Sequence, residues 1–186
     1  MSHAAVRFAR YEDLFDLPEH LVGEIIAGVL HTQPRPAPKH ARAASKTGAT
    51  LDARFDRHDD GPGGWWILDE PELHLGGDIL VPDIAGWRRE RLPKLPDGAY
   101  FELAPDWVAE VLSPSTARKD RVLKLPRYAA AGVAHCWLID PETRTLEAYA
   151  NQNGHWLLLG AWGGEDVAEI PPFEALRFEL SALWAD

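Results

Sequence analysis

Two carboxylates stand in strongly apolar surroundings. Asp83 follows Val81 and Pro82, and Glu110 lies inside the apolar run 107–112. A buried carboxylate without a partner is costly, so each acid must meet a cation or a hydrogen-bond donor. If both acids converge at one edge of a sheet, they form an oxygen-rich site for Mg²⁺ or Mn²⁺. Such an ion can offset charge in phosphoryl transfer.

Each acid also has a simpler interpretation. Asp83 follows a proline and could cap a turn. Glu110 could pair with Lys124 or with an arginine. Lys124 itself stands four residues after Asp120, which is the spacing of an ordinary ion pair on a helix surface. From the residues alone, these alternatives stay open.

The elements around the two acids predict a mixed α/β or α+β domain built on a sheet. Strands are predicted from apolar alternation, β-branched residues and glycine-containing turns. They cover residues 22–31 (with a turn at Gly28), 65–68, 72–75, 79–87, 107–112, 135–140, 145–150 and 155–161. Helices are predicted over residues 11–20, 39–58, 119–131 and 173–184, with Pro126 expected to kink the third.

The composition favours one ordinary globular domain. The 186 residues are 46% hydrophobic and 26% charged, and the chain has a single cysteine, Cys136. One cysteine excludes an internal disulfide and fits a reducing cytoplasm. The start of the sequence lacks the apolar segment of a signal peptide, and no apolar run is long enough to span a membrane. We therefore expect one cytoplasmic domain over residues 1–186, with no membrane association.

The formal net charge of -10 is unusual for a protein that binds nucleic acid, because phosphates attract basic surfaces. Basic residues at helical spacing could still form phosphate-contacting stripes. The candidates are Lys39, Arg42, Lys46 and Arg57 on one helix, and Arg118 and Arg121 on another. The alternative is that these are solvated helix faces. His40 follows the proline-rich loop and could reach a phosphate, but the favoured expectation is that it caps a helix or lies on the surface.

Several short segments, taken together, resemble a known family. They are Gly23-Glu24, the loop from Pro34 to His40, Val81-Pro82-Asp83, Pro105-Asp106, the run from Glu110 to Thr116, Asp120, Lys124, Tyr128, Gly132-Val133 and the run from Trp137 to Pro141. In this combination the chain resembles the Uma-two family of restriction-endonuclease-like proteins, over residues 11–184.

The resemblance implies a PD-(D/E)XK nuclease fold, in which a central mixed sheet is flanked by helices, here with additional antiparallel hairpins. It implies that Asp83 and Glu110 bind Mg or Mn and that the carbonyl of Val111 joins them. Glu24 is implied as a further acidic site residue, although a glutamate beside a glycine is usually solvated. The superfamily pattern expects a lysine where this chain has Leu112, and the resemblance points instead to Lys124.

The function expected from this resemblance is metal-dependent endonucleolytic hydrolysis of DNA, with Lys124 assisting. A two-fold homodimer would suit cutting of both strands, and Trp156 or Trp162 could contribute to its interface. Leu112 and the net charge favour an alternative, a degenerate relative that binds nucleic acid or a protein partner without cutting. A third hypothesis is a different metal-assisted hydrolysis at the same carboxylates.

Overall fold

The computed structural model describes residues 8–57 and 61–184. In these residues the chain forms twelve strands. They are β1 (Leu21–Ile26), β2 (Val29–Pro34), β3 (Trp65–Asp69), β4 (Leu73–Leu75), β5 (Asp78–Leu80), β6 (Ile84–Arg88), β7 (Trp107–Val111), β8 (His135–Asp140), β9 (Thr145–Gln152), β10 (His155–Gly163), β11 (Val167–Glu169) and β12 (Arg177–Glu179).

The helices are few and short. They are α1 (Pro38–Leu51), α2 (Ala117–Lys119) and α3 (Leu125–Ala130), with π-helical turns at Asp52–Asp56 and Asp120–Lys124 and 3₁₀ turns at Tyr11–Leu14 and Leu180–Leu183. The first π-helical turn extends α1, and the second joins α2 to α3, so residues 117–130 are continuously helical.

The central element is a six-stranded sheet in the order β10-β9-β8-β7-β6-β3. Only β7 and β8 pair in parallel, and the other pairs are antiparallel. All five residues of β7 are buried, as its continuous apolar run predicts. The predicted fold class, a mixed central sheet with helices and antiparallel hairpins, is confirmed.

A second sheet has the strand order β2-β1-β5-β4. The predicted single strand over residues 79–87 is wrong, because the chain leaves this small sheet after Leu80 and enters the large sheet at Ile84. Both halves are apolar, so the sequence pattern does not reveal the break. Pro82 has no N–H to donate to a continuing ladder. Asp83 consequently lies at the crossing between the two sheets.

The predicted hairpins are confirmed, since their turns adopt the positive φ angles of tight two-residue connections. Ala27 and Gly28 have φ of 52° and 73°, and Asn153 and Gly154 have φ of 53° and 86°. Asparagine and glycine tolerate this left-handed region best. The β1–β2 turn therefore fixes the register that brings Glu24 opposite His31.

The predicted helices over 39–58 and 119–131 are confirmed in outline, although His58 lies outside the described residues. Pro126 directly follows the π-helical turn, where the regular hydrogen-bond pattern of the helix is interrupted, so a residue without an N–H is accommodated there. Gly132, with φ of 85°, follows the helix end.

The central strands of the large sheet are buried on both faces, whereas its edge strand β10 is largely exposed. Trp107, Ala109 and Val111 point to one cluster, which we call the aromatic face; Val108 and Leu112 point to the other, which we call the ionic face because Glu110 lies on it. The aromatic face includes Trp65, Trp137, Phe173 and Phe178, while Leu125, Tyr128 and Leu138 belong to the ionic face.

The predicted closing helix over residues 173–184 is wrong. The segment contains a turn, strand β12 and a short 3₁₀ turn. Four of its six buried residues, Phe173, Leu176, Leu180 and Leu183, are spaced three, four and three apart, which imitates one face of a helix. The predicted helix over 11–20 is likewise reduced to the 3₁₀ turn Tyr11–Leu14.

The tryptophans of the last hairpin are half-buried against their own chain. Trp156 donates its indole N–H to the carbonyl of Leu125 at 2.9 Å, and Trp162 packs against the aromatic face. Both side chains keep part of their surface exposed, and their contribution to a dimer interface stays a prediction. Among the described residues, no helix is long and apolar enough to cross a membrane.

Candidate active site

The two predicted metal-binding acids are neighbours. Ile84 pairs with Ala109 across β6 and β7, so the next position in this antiparallel register sets Asp83 opposite Glu110. Oδ2 of Asp83 accepts the backbone N–H of Val111 at 2.7 Å. The three residues that the sequence associates with a metal ion thus meet at the end of β7.

Glu110 is almost completely buried on the ionic face. Its Oε1 lies 2.7 Å from Nζ of Lys124 and accepts the hydroxyl hydrogen of Tyr128 at 2.6 Å. The predicted pairing of Glu110 with Lys124 is therefore confirmed. Tyr128 is both a packed core residue and a direct contact of the site.

Glu24 is also buried, so the solvated interpretation of this residue is wrong. Its Oε1 lies 3.0 Å from Nζ of Lys124 and accepts the backbone N–H of Val81 at 2.9 Å. Its Oε2 forms a short ion pair with Lys119, which also donates to the side chain of Gln33. These contacts connect the β1–β2 hairpin to the helix over residues 117–130.

Lys124 does not form the helix-surface pair with Asp120 that its spacing allows. Only 1% of its side chain is exposed, and Asp120 is also buried. Nζ of Lys124 meets Glu24, Glu110 and the carbonyl of Val81, the last at 2.9 Å. An ammonium group has three hydrogens, so these partners use its full donor capacity.

The two glutamates differ in how much positive charge they meet. Burial acts to raise the pKa of Glu24, but Lys124 and Lys119 outweigh it and hold that pKa below its ordinary value. Burial raises the pKa of Glu110 well above its ordinary value, although Lys124 opposes this shift. Glu110 is thus the carboxyl group with too little positive charge around it.

His40 lies beside the site, whereas a helix-capping or surface position was the favoured expectation for it. Its Nε2 lies 3.3 Å from Oδ1 of Asp83, and its buried Nδ1 meets no hydrogen-bond partner within residues 8–57 and 61–184. Burial acts to lower the pKa of His40, but the hydrogen bond and charge of Asp83 raise it overall, with the backbone of Val111 contributing. Its position one turn into a helix, after a proline-rich loop, was its only sequence signal.

A groove opens beside Asp83. Its volume is about 270 Å³, and it is lined by residues 33–37 of the proline-rich segment, by His40 and by residues 113–116 after β7. Glu110 and Lys124 lie behind this wall and do not line it. Asp83 is therefore the acid of the pair that faces the groove.

A hard cation beside Asp83 would need oxygen donors from several residues together. Within the described parts of the chain, no three His, Cys, Asp or Glu side chains are grouped as a metal-binding set. Asp83, Glu110 and the carbonyl of Val111 would supply oxygen donors. Two carboxylates and one carbonyl fit Mg²⁺, which keeps several waters and binds one or two carboxylates together with phosphate oxygens.

The predicted basic stripes are partly engaged by the protein itself. Lys39 forms an ion pair with Glu142 at 3.2 Å, and Arg42 donates to the carbonyl of Trp184 at 3.0 Å. Arg121 lies 3.4 Å from Glu147, whereas Lys46 and Arg118 are exposed. Contact of these residues with phosphate stays a prediction.

The central mixed sheet with its helices and antiparallel hairpins is a restriction-endonuclease-like fold. The chain belongs to the Uma2 family, described as "Putative restriction endonuclease", which it matches over residues 8–182. Its fold is similar to that of a "putative nuclease belonging to DUF820" from Anabaena variabilis ATCC 29413, with a TM-score of 0.74 and 24% sequence identity over 92% of this chain and 95% of that chain. No curated protein shows significant similarity to the chain.

Proposed function

We propose that this nuclease-family protein is a divalent-cation-dependent DNA endonuclease. Asp83, Glu110 and the carbonyl of Val111 would hold Mg²⁺ or Mn²⁺ at the end of β7. The main observation behind the proposal is that the two buried glutamates contact different numbers of ammonium groups. Glu24 contacts two ammonium groups, whereas Glu110 shares one with Glu24.

The charge of the whole cluster supports a cation. Its four carboxyl groups, Glu24, Asp83, Glu110 and Asp120, lie near the two ammonium groups of Lys119 and Lys124. With every carboxyl ionised, two negative charges remain uncompensated. A divalent ion beside Asp83 and Glu110 would balance them, and carboxylates are suitable ligands for it.

The protein's own side chains would hold this site in place. Lys124 and Tyr128 fix Oε1 of Glu110, and Glu24 in turn fixes Lys124. Lys124 assists in this scheme as a fixed positive charge behind Glu110. The bound ion would supply charge neutralisation on the scissile phosphate. The groove beside Asp83 would receive the strand that carries this phosphate.

One observation favours the non-cutting alternative. Glu110 already meets two partners on one oxygen, and Lys124 has no N–H left for a phosphate. A protein of this kind could bind nucleic acid through the groove without hydrolysing it. The experiment below separates the two functions.

The test is nicking of supercoiled plasmid with Mg²⁺ or Mn²⁺, with EDTA as the blank. We expect nicking by the wild-type protein and its loss in Asp83→Asn and Glu110→Gln, since each substitution removes a carboxylate charge with little change in shape. Asp97→Asn is the matched control, because the Asp97 side chain is 90% exposed and forms a surface ion pair with Lys94. Plasmid binding without nicking by the folded wild-type protein would instead support the alternative.

Two further predictions concern the setting of this activity. We infer that the protein acts in the cytoplasm, since its single cysteine fits a reducing compartment. We also expect a two-fold homodimer on duplex DNA. Light scattering with and without DNA measures the assembly, and a monomer in both conditions would contradict it.

A further inference from the structure

The strongest unassigned feature is the second lysine of the buried network. Lys119 lies in α2, five residues before Lys124, and both lysines contact Glu24. The residue pattern singles out Lys124, but donor geometry distinguishes the two side chains. Only one of them has capacity left for a ligand.

Lys124 is fully committed to the protein. It is 1% exposed, and its three partners account for its three N–H groups. A phosphate oxygen could reach it only if Glu24, Glu110 or the carbonyl of Val81 gave up its contact. Breaking a buried ion pair in this way leaves an uncompensated charge and is costly.

Lys119 is held differently. Its side chain is 14% exposed, and Nζ donates to Oε2 of Glu24 and to Oε1 of Gln33. Among residues 8–57 and 61–184 its ammonium group has these two acceptors and no third, so one N–H is available. Lys119, like Lys124, does not itself line the groove beside Asp83, but its partner Gln33 does, and so does Thr116, one helical turn before Lys119.

Gln33 is a neutral acceptor of Lys119 that lines the groove. Charged acceptors form stronger hydrogen bonds with ammonium groups than neutral amides do. A phosphate entering the groove could therefore replace the Gln33 oxygen on Lys119, while Glu24 continues to hold the lysine from behind. The flexible side chain of lysine allows this exchange with little backbone movement.

We propose that Lys119 is the phosphate-contacting lysine of the groove, held by Glu24 and presented by Gln33, and that Lys124 is a buried positioning residue. The proposal rests on the proposed function for its substrate class, a nucleic-acid strand. In this proposal Lys119, and not Lys124, takes the place of the lysine that the superfamily pattern expects where this chain has Leu112.

The test uses the salt dependence of binding to a fluorescent DNA duplex in EDTA, so that no chemistry is required. Each phosphate contact adds about 0.9 to the slope of log affinity against log salt. We expect Lys119→Met to reduce that slope by about 0.9, and Gln33→Glu to weaken binding because a fixed carboxylate competes with the phosphate. Lys94→Met is the control, because Lys94 is 80% exposed and lies outside the groove.

Lys124→Met is measured beside them. We expect it to lower the thermal unfolding midpoint and to leave the salt slope of the folded protein unchanged. An unchanged slope in Lys119→Met, or a reduced slope confined to Lys124→Met, would overturn the proposal. Plasmid nicking is scored separately: wild-type binding without nicking would count against the endonuclease, and the slopes would still decide the role of Lys119.

Discussion

The aromatic and ionic faces of the large sheet share the same strands but differ in what they bury: aromatic rings on one face and charged side chains on the other. On the aromatic face, Trp107, Trp137 and Phe173 contact one another edge to face with ring centroids 5.0–5.6 Å apart. On the ionic face, the equally buried Glu110 and Lys124 replace such packing with charge. The alternation of side chains along one strand is enough to separate the two environments by a single residue.

The difference shows which face is built for stability. Buried aromatic rings remove large apolar areas from water and add favourable ring contacts. A buried ion pair must first overcome its desolvation cost and is often no more stable than an apolar replacement. The charges of the ionic face are therefore better explained by a chemical role than by folding. Substitutions on the aromatic face should affect stability, whereas substitutions on the ionic face should also affect activity.

The largest effect on stability is expected on the aromatic face. Trp137 is fully buried, and its indole N–H donates to the carbonyl of Pro171 at 2.6 Å. Trp137→Ala should lower the free energy of unfolding by about 3–5 kcal/mol, measured by denaturant titration. The half-buried Trp156, which packs against the ionic face, is the control, and an equal loss in Trp156→Ala would argue against a specially important aromatic cluster.

A comparable loss is expected from breaking the ionic face on one side only. Lys124→Met leaves Glu110 buried without its cation and should cost about 3–5 kcal/mol of stability. The double variant Lys124→Met with Glu110→Met removes the stranded carboxylate as well. We expect it to be more stable than the single variant yet inactive; a double variant less stable than the single one would contradict the view that these charges serve function.

A smaller effect is expected at Tyr128, which links the packing of the ionic face to its charges. Tyr128→Phe keeps the ring but removes the hydrogen bond to Glu110, for which a loss of about 1.5–3 kcal/mol is typical. Thermal and urea unfolding measure this loss. If the variant keeps wild-type stability, Glu110 does not depend on the tyrosine hydroxyl.

The smallest effect is expected outside both faces. Lys39 and Glu142 form an ion pair whose side chains are each about half exposed. Exposed ion pairs contribute about 0.2–1 kcal/mol to stability, so Lys39→Ala should lower the free energy of unfolding, measured by denaturant titration, by no more than that. A larger loss would show that surface charge, and not the buried cluster, dominates the electrostatics of this protein.

Local patterns in the sequence predicted much of the fold. The bounds of β8 and the turn at Asn153-Gly154 follow from an apolar run and a favoured turn dipeptide. The break at Val81-Pro82-Asp83 and the false closing helix were missed because strands in two sheets, or a turn and a strand, can bury residues at the same spacing as one continuous element. Tertiary contacts decide between these possibilities.

The candidate site was predicted unevenly for a similar reason. Glu110 is visible as an acid within an apolar strand, but Glu24 was found only through the family resemblance. Lys119 and Gln33 carry no local sign of their roles, because they meet across 86 positions of the chain. His40 belongs with them, since only the folding of α1 brings it to Asp83.

The most direct test of the central claim is calorimetric titration of the protein with Mn²⁺, using wild type, Asp83→Asn and Glu110→Gln, with circular dichroism to confirm that each is folded. The account predicts saturable binding to the wild type and loss of that binding in both variants. Folded variants that bind Mn²⁺ as the wild type does, or a folded wild-type protein that binds none, would contradict it.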